Sequence, residues 1–250
     1  MVRSRPSETI PHLLAMAVIG AIGFGTGACG DEHPTDIKPI ILFDGETFDG
    51  WVMADGSPVN DRWKAVDGAI RLTNGRERAG SIRTTRMFQN FVLEFEWRVA
   101  PGGNSGVKYR VREADSKFGR NPYGCEYQLL DDARHKNGKN PLTSAGSLYG
   151  LYAPDSDLKH LRPIGEFNEG KIVLAGDHIE HWLNGQKIVE ATIGSDDWEK
   201  RLRRSKVASV ENFGGEEGFI LLQEHLSEAW FRNLRLTPLA AADASDAVRD

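Results

Sequence analysis

The amino-acid sequence predicts an all-β protein: a two-sheet antiparallel β-sandwich of the jelly-roll type with one short helix. Two observations support this fold class. Several segments alternate apolar and polar residues, as a strand does when one of its faces is buried and the other is solvated. The 27 glycines are spread along the 250 residues, where they mark turns between many short strands.

The composition is that of an ordinary globular chain, with 40% hydrophobic and 27% charged residues. Such a chain is long enough for one large β domain that buries about 70% of the surface of its unfolded state. The net charge is −5, and the basic residues are interspersed with acidic ones. Because the sequence has no basic stripe, we expect no nucleic-acid partner.

The N-terminus has the pattern of an export signal. Arg3 and Arg5 precede an apolar run, Leu13–Phe24, that is short for a membrane-spanning helix. The run ends in T-G-A-C, which resembles a bacterial lipobox with Cys29 as the lipidated residue, although Thr26 stands where an aliphatic residue is usual. We therefore expect an exported lipoprotein, anchored on the periplasmic or cell-surface side. A plainly cleaved signal and an uncleaved anchor are the alternatives.

The chain divides into four segments by composition. Residues 30–39 are polar with two prolines, which suits a tether, and the residues after Leu239 have the composition of a disordered tail. The predicted segments are a signal peptide over 1–29, a linker over 30–39, a catalytic jelly-roll domain over 40–239 and a tail over 240–250.

Within the domain, turn residues separate the predicted strands. Asn184-Gly185 is the strongest hairpin signal, because this pair suits a two-residue turn between antiparallel strands. Ser195 can cap the predicted helix Asp196–Arg204, whose first turn is acidic and whose last turn is basic. The other predicted strands include Ile40–Phe43, Trp63–Val66, Ala69–Leu72, Lys171–Leu174, His178–Leu183, Ile188–Ala191, Gly218–His225 and Ala229–Leu236.

Three central segments alternate most clearly: Phe91–Val99, Ser105–Glu113 and Gly124–Asp132. We expect them to be neighbouring strands with one apolar face in the core. Their opposite faces would then form one polar floor, with charges of alternating sign. A solvated sheet face with cross-strand ion pairs is the alternative. The floor would contain Glu94, Glu96, Arg98, Lys108, Arg110, Glu126 and Gln128.

Cys125 is one of two cysteines in the chain and directly precedes Glu126. If Cys29 is lipidated, no intramolecular disulfide is left. We interpret Cys125 as a buried thiol that fills space rather than as a nucleophile.

Ten phrases, in this order, resemble the bacterial 3-keto-disaccharide hydrolase family, whose members have a concanavalin A-like jelly roll. They are LFDGETFDGW, WKAVDGAI, EFEWRV, NSGVKYR, GCEYQLLDD, SLYGLYAP, GEFN, HWLNG, GFILLQEH and WFRNLRLTPL, and they cover Ile40 to Leu239. The chain departs from the family at Phe167, where a Trp is usual, and at Leu226, where a Gly follows the His. The second change affects the loop beside His225.

The resemblance implies an enzyme that acts on di- or oligosaccharides already oxidised at C3 by a separate sugar 3-dehydrogenase. A ketone at C3 acidifies the C2 proton, so a base can remove it and the C1 substituent can leave by β-elimination. Addition of water then completes a net hydrolysis to a 3-keto sugar and the aglycone sugar, although the sequence leaves elimination alone open as the end point. The chain has no glycine fingerprint for nicotinamide, and this chemistry needs none.

Such a site needs an acid, a base and groups that stabilise an enolate oxygen. The catalytic candidates are Glu96, Glu126 and His225, with their acid and base roles left open. The substrate-binding candidates are Arg98, Arg110, Gln128, Tyr149, Trp182 and Gln223. Tyr149 and Trp182 would stack on the sugar, although Trp182 could instead belong to the core.

Asp131 and Asp132 could cap a turn or hold a divalent cation beside Glu126. Carboxylates with few neighbouring histidines would suit a hard cation such as Ca²⁺ or Mg²⁺.

The same fold is also compatible with two alternative functions, a retaining glucanase and a lectin-like binding module. A retaining glucanase normally presents E-x-D-x-x-E on one strand, whereas the comparable strand here reads E-Y-Q-L-L-D-D. A lectin-like module would bind glycans through loops or exposed aromatic residues, whereas the predicted floor is densely ionisable, which suits catalysis.

Overall fold

A computed structural model describes residues 38–117 and 119–240. The predicted signal peptide, Cys29, most of the predicted linker and nearly all of the predicted tail lie outside the described residues. Within the described ranges, no helix is both long and apolar enough to cross a membrane.

The described residues form a two-sheet antiparallel β-sandwich with one short α-helix, so the predicted fold class is confirmed. The helix α1 spans Asp196–Leu202 and is capped by the Ser195 side chain, which accepts from the Trp198 N–H. Two 3₁₀ turns span Lys136–Lys139 and Pro141–Thr143. The strands are β1 (Ile40–Ile41), β2 (Trp51–Met53), β3 (Trp63–Val66), β4 (Ala69–Leu72), β5 (Ile82–Phe88), β6 (Phe91–Val99), β7 (Asn104–Ala114), β8 (Asn121–Leu130), β9 (Asn168–Ala175), β10 (His178–Leu183), β11 (Gln186–Thr192), β12 (Gly218–Leu222) and β13 (Ala229–Pro238).

Both sheets are antiparallel throughout. The larger, eight-stranded sheet has the order β11-β10-β9-β6-β13-β4-β3, with β1 paired to β13. The five-stranded sheet has the order β2-β5-β12-β7-β8. The predicted hairpins form as expected: β10 and β11 meet at Asn184-Gly185, where both residues have positive φ angles of 48° and 83°.

The core lies between the inner faces of the two sheets. Phe91 and Phe95 on β6 make edge-to-face contacts with Tyr109 on β7 and Tyr127 on β8, with ring centroids 6.4 and 5.4 Å apart. Each of these rings is at most 2% exposed. Burial of a side chain of this size stabilises the fold by about 1.5–3 kcal/mol.

The expectation of a single polar floor is wrong, because β6 is not a neighbour of β7 or β8. β6 pairs with β9 and β13 in the eight-stranded sheet, whereas β7 and β8 pair with each other in the five-stranded sheet. Their apolar faces pack against each other across the sandwich, so their polar faces point in opposite directions. Alternation along a strand assigns its inner face, but it does not say which sheet the strand joins.

Candidate active site

A cavity of about 300 Å³ lies on the outward face of the five-stranded sheet. We call it the β7–β8 cavity, since its floor is formed by Lys108 on β7 and Glu126 on β8. Its wall includes Tyr149 and Lys206 from the loops, and its rim includes His225. The remaining lining residues that bear polar or charged side chains are Arg78, Ser81, Asn121, Tyr123, Ser205, Gln223 and Glu224.

Strand register brings the floor residues together. Lys108 lies directly opposite Glu126, and Gly106 lies directly opposite Gln128. Directly opposed residues of an antiparallel pair project from the same face. A Cβ at Gly106 would lie 2.7 Å from the Glu126 Oε1 atom, so a larger residue here would displace the Glu126 side chain. The glycine therefore leaves the space that the Glu126 carboxylate occupies.

Glu126 and Lys108 form a largely buried ion pair. The Lys108 Nζ atom lies 3.7 Å from the Glu126 Oε2 atom, and the two side chains are 20% and 9% exposed. The floor of the cavity therefore has a carboxylate, which is a group that can act as a base, and a cation directly beside it.

Tyr149 is held over Glu126 by main-chain hydrogen bonds. Its N–H donates to the Glu126 carbonyl at 3.0 Å, and the Gly146 N–H donates to the Gln128 carbonyl at 2.8 Å. The segment 146–149 therefore runs along the free edge of β8. Burial and the nearby Glu126 charge raise the pKa of Tyr149, while Lys108 opposes this shift. The phenol is thus a neutral hydrogen-bond donor, and Lys206 Nζ lies 4.2 Å from the centre of its ring.

His225 is exposed at the cavity rim and contacts a chain of buried amides. Gln128 Nε2 donates to Asn104 Oδ1 at 2.8 Å, and Asn104 Nδ2 lies 3.4 Å from His225 Nδ1. His135 lies close enough to His225 for the two rings to interact. Burial is the larger cause that lowers the pKa of His135, and repulsion from His225 is the next. His135 therefore lies near His225, although it does not line the cavity.

The Glu224 carboxylate fixes the turn that presents His225. Its Oε1 accepts from the Leu226 N–H at 2.7 Å, and its Oε2 lies 3.4 Å from Arg78 Nη1. Leu226 has φ of 56°, the left-handed region that favours glycine. This chain therefore keeps the left-handed turn with a leucine, and His225 still lines the cavity.

Two amide oxygens at the site are buried acceptors without a donor among the described residues. They are Gln128 Oε1 and Gln223 Oε1. A buried acceptor that lacks a donor is costly in a folded protein and calls for a partner. Gln223 lines the cavity, where a sugar hydroxyl is a suitable donor, whereas Gln128 is 0% exposed and lies beneath the floor.

Glu96 and Arg98 lie on the opposite side of the molecule, on the outward face of the eight-stranded sheet. Arg232 and Asn233 hydrogen-bond the Glu96 carboxylate. Burial raises the pKa of Glu96, but these hydrogen bonds outweigh it and the net shift is downward. The predicted grouping of these residues with Glu126 fails because β6 belongs to the other sheet.

Arg98 belongs to a stack of guanidinium groups and rings on that face. Its Cζ atom lies 4.3 Å from the ring centre of Trp230 and 4.7 Å from that of Phe167. Its Nη1 donates to the Gly165 carbonyl at 3.2 Å, while its buried Nε has no acceptor among the described residues.

Arg110 does not reach the cavity, although it lies two residues after Lys108. A bulge between Tyr109 and Arg112 interrupts the pairing of β7 with β8, and Arg110 has φ of 49°. Its buried guanidinium donates to the carbonyls of Gln89, Gly176 and Gly214. The bulge thus converts a predicted substrate anchor into a tie between three loops.

Trp182 lies on the outward face of the eight-stranded sheet, so it is neither core nor a wall of the β7–β8 cavity. Its Nε1 donates to Glu180 at 2.7 Å, and Lys171 Nζ lies 3.8 Å from the centre of its ring. It lines another cavity, of about 320 Å³, together with Glu94 and Glu96.

Asp131 and Asp132 both accept hydrogen bonds from the protein. Asp131 accepts from the Gly102 N–H at 2.8 Å and contacts Arg134. Burial raises the pKa of Asp131, but these hydrogen bonds outweigh it and the net shift is downward. Asp132 accepts from the Ala145 N–H at 2.8 Å and pairs with Lys159 at 2.6 Å. Asp131 also accepts from the N–H groups of Ala133 and Arg134 and so caps the turn after β8, whereas Asp132 ties this turn to the loop at Ala145.

One group of side chains among the described residues has metal-ligand spacing: His178, Glu180 and Glu190. The Lys187 ammonium lies 3.0 Å from the Glu180 carboxylate and 2.9 Å from that of Glu190. The Lys187 ammonium group is thus already paired with both carboxylates. Buried Cys125 is a free thiol, and burial raises its pKa to about 12, which suits a structural thiol.

Sequence reasoning assigned no role to several residues of the cavity. Lys108 belongs to the predicted floor but is not among the catalytic or substrate-binding candidates. Its even spacing from Asn104 and Gly106 is the signal that all three share a face of the strand. Glu224 lies beyond the end of β12, in the L-L-Q-E-H phrase, where alternation gives no signal.

Comparison with known proteins places the chain in a family. Residues 38–237 match the family model described as "3-keto-alpha-glucoside-1,2-lyase-like domain". A Bacteroides thetaiotaomicron protein named 3-keto-disaccharide hydrolase is 33% identical over 228 residues, covering 80% of this chain and 78% of that protein.

Two crystal structures of Parabacteroides distasonis proteins, provisionally named glycosyl hydrolases, have the same fold. One superposes with a TM-score of 0.71 at 31% identity and covers 81% of this chain and 94% of the other. The second superposes with a TM-score of 0.58 at 25% identity and covers 81% of this chain and 100% of the other.

Proposed function

This chain belongs to the 3-keto-alpha-glucoside-1,2-lyase-like family, and we propose that it hydrolyses glycosides whose sugar bears a ketone at C3, 3-keto-disaccharides above all. The observation that supports this most is the β7–β8 cavity. It gathers a carboxylate, an ammonium group, a neutral phenol and an imidazole around the buried Gln223 Oε1 atom, an acceptor that lacks a donor among the described residues.

The reaction needs no net oxidation. A base removes the C2 proton, the C2–H electron pair forms the enolate of the C3 ketone, and the C1–O bond then breaks with its electron pair on the leaving oxygen. That oxygen takes up a proton. In the second stage water adds its oxygen to C1 and a proton returns to C2, so the net change is the consumption of one water.

We assign the base to Glu126. Its side chain is 9% exposed and lies beside the Lys108 ammonium group, so the carboxylate is shielded from bulk water. The proton that it takes from C2 can pass to the leaving oxygen, because both lie on adjacent carbons of the same ring. Proton transfer by a positioned group typically contributes about 10²–10⁴-fold to the rate.

Lys108 and Tyr149 are the groups that stabilise the enolate oxygen. The ammonium supplies charge, and the phenol supplies a hydrogen bond because its raised pKa keeps it protonated. Fixed donors aimed at a developing oxyanion are worth several kcal/mol in a site that excludes water. Gln223 accepts a hydrogen bond from a sugar hydroxyl, and His225 contacts a reacting oxygen. Gln128 is 0% exposed and contacts Asn104 beneath the floor instead of the sugar.

We assign the enolate charge to Lys108 rather than to a divalent cation. The two carboxylates that line the cavity, Glu126 and Glu224, are each paired with a basic side chain. Exhaustive chelation should therefore leave turnover unchanged. A loss of turnover that Ca²⁺ or Mg²⁺ restores would contradict this assignment. The ketone itself comes from a separate sugar 3-dehydrogenase, since the reaction transfers no hydride.

We also propose that the protein is exported and lipid-anchored through Cys29. Metabolic labelling with an acyl chain should be lost in the Cys29→Ala variant. Unchanged labelling would contradict the anchor without affecting the proposed activity.

The test of the proposed function uses the purified protein with a 3-keto-disaccharide and, in parallel, its unoxidised parent. We expect release of the aglycone sugar from the keto form only. Binding without turnover would indicate a lectin-like module, and cleavage of the parent sugar at similar rates would indicate an ordinary glycosidase.

A further inference from the structure

The buried amides beneath His225 have a consequence for its chemistry. We infer that Asn104 is a positioning residue that holds neutral His225 in the tautomer with its hydrogen on Nε2. This inference deepens the proposed function, because it says what His225 can and cannot do in that site. The tautomer itself can be measured without any substrate.

The hydrogen bonds run in one direction. Gln128 Nε2 donates to Asn104 Oδ1 at 2.8 Å, so the oxygen of the Asn104 amide is taken. The Asn104 NH₂ group is then the side that faces His225 Nδ1, at 3.4 Å. An amide nitrogen only donates, so Nδ1 must accept with its lone pair. A neutral imidazole whose Nδ1 accepts has its hydrogen on Nε2.

The amides are built into the sheet rather than attached at its surface. Gln128 is 0% exposed and Asn104 is 3% exposed. Gln128 lies opposite Gly106 on the outward face, and Asn104 lies two residues before Gly106 on the same strand, so both side chains share the face that bears Glu126. Strand register thus fixes the relative position of the two amides.

The orientation limits the role of His225. Nδ1 is engaged with Asn104, and Nε2 has a hydrogen instead of a lone pair, so neutral His225 has no free site that could take the C2 proton. Loss of the Nε2 hydrogen would leave an imidazolate, which is too basic to form here. His225 therefore donates a hydrogen bond to the ketone or leaving oxygen, and Glu126 remains the group that moves the proton.

The direct test is nitrogen-15 NMR of the full-length protein labelled at histidine. The spectra are recorded at a pH where the ring is neutral, and the resonances of His225 are identified from their absence in the His225→Gln variant. We expect the wild-type spectrum to show the Nε2–H tautomer. An Nδ1–H tautomer in the wild type would overturn the inference whether or not the protein turns over a ketosugar.

Two substitutions should reverse the tautomer from opposite ends of the chain of amides. In Asn104→Asp, a carboxylate replaces the NH₂ group, so Nδ1 must become a donor. In Gln128→Glu, a carboxylate accepts from Asn104, which turns the Asn104 oxygen toward His225 with the same result. A spectrum that keeps Nε2–H in both variants would overturn the inference, provided that circular dichroism shows both variants folded.

Turnover gives the second readout. With the wrong tautomer we expect kcat to fall about 10²-fold in both variants, with KM changed by less than about threefold, because the lost interaction belongs to the transition state. The matched control is Asn90→Asp. Asn90 lies in the turn between β5 and β6, and its side-chain oxygen accepts from the Gly176 N–H, a bond that a carboxylate retains. It should leave both the His225 tautomer and kcat unchanged.

If no variant and no wild-type sample shows turnover, the proposed function fails while the tautomer data still decide the inference. If turnover is present and the tautomer is Nδ1–H, the inference fails while the proposed function stands.

Discussion

The two outward faces of this sandwich arise from the same sequence pattern and differ in what their polar groups contact. On the eight-stranded sheet, Glu96 pairs with Arg232, and Arg98 stacks between Trp230 and Phe167. On the five-stranded sheet, Gln128 and Gln223 each bury an acceptor without a donor. The first face largely satisfies itself, whereas the second leaves groups available inside a cavity.

The difference shows that a densely ionisable strand face is not by itself a site. Alternating charges on neighbouring strands can form a ladder of ion pairs and cation–π contacts, each worth about 1 kcal/mol or less when exposed. A cavity and a buried polar atom without a partner occur on both faces, since the eight-stranded sheet also has a cavity of about 320 Å³ and an Arg98 Nε without an acceptor among the described residues. The feature that distinguishes the β7–β8 cavity is the depth at which its carboxylate lies. The Glu126 side chain is 9% exposed, and the cavity has a volume of about 300 Å³.

The largest expected difference between the faces concerns two glutamates. Glu126→Gln should reduce kcat by about 10³-fold, because it removes the base and keeps the shape of the side chain. Glu96→Gln, the matched change on the other face, should leave kcat within about twofold. Steady-state kinetics on a 3-keto-disaccharide measure both. A large loss in Glu96→Gln with near wild-type rates in Glu126→Gln would reverse our assignment of the faces.

Two cations on β7 sharpen the comparison within a single strand. Lys108→Met should lower kcat by about 10²-fold with little change in stability, since it removes charge from the enolate site. Arg110→Met should lower the free energy of unfolding by about 3 kcal/mol or more, because three buried carbonyls lose a charged donor. Urea unfolding and kinetics on both variants separate these effects. Equal losses of stability in the two variants would contradict the distinction.

The layer between the faces should give a pH dependence of stability. Burial lowers the pKa of His181 from 6.5 to about 4, so the unfolded chain takes up a proton between these values and the folded chain does not. The free energy of unfolding should therefore fall as the pH falls from about 6.5 to 4, by up to about 3 kcal/mol from this residue. Urea unfolding of wild type and His181→Leu at several pH values measures the difference. Parallel pH dependences would show that His181 contributes nothing.

The smallest expected effect is at the turn beside the cavity. Leu226→Gly should raise the free energy of unfolding by up to about 1 kcal/mol, because the left-handed backbone that strains leucine does not strain glycine. Asp67→Gly is the matched change in the β3–β4 turn, at φ of 50°. It should gain less, since aspartate tolerates this conformation better. A larger gain at Asp67 than at Leu226 would contradict the assigned strain.

Local features of the fold were predictable from the sequence. The Asn184-Gly185 turn, the Ser195 cap and the inner faces of the central strands depend on neighbours along the chain, and the structure confirms them. The sheet that β6 joins depends on long-range pairing, which a period of two does not encode. For this reason Glu96 and Arg98 were grouped with the wrong strands.

The candidate site was predictable only in part, for related reasons. Glu126 and Gln128 share a parity that places them on one face, and both line or underlie the cavity. Arg110 shares the parity of Lys108, but a bulge turns its guanidinium toward three loop carbonyls, and bulges leave little trace in a single sequence. Asn104 matters through a hydrogen bond to a residue 121 positions away, which no local pattern reveals.

The most direct measurement of the central claim is hydrolysis of a 3-keto-disaccharide in D₂O, followed at early times by NMR. If Glu126 takes the C2 proton in the β7–β8 cavity, the released 3-keto sugar should have deuterium at C2 with the wild-type enzyme and with Glu96→Gln. Glu126→Gln should slow both product release and exchange by about 10³-fold, so neither is detectable at early times. Product released by the wild type with hydrogen retained at C2 would contradict proton abstraction, and unimpaired exchange by Glu126→Gln would contradict the assignment of the base.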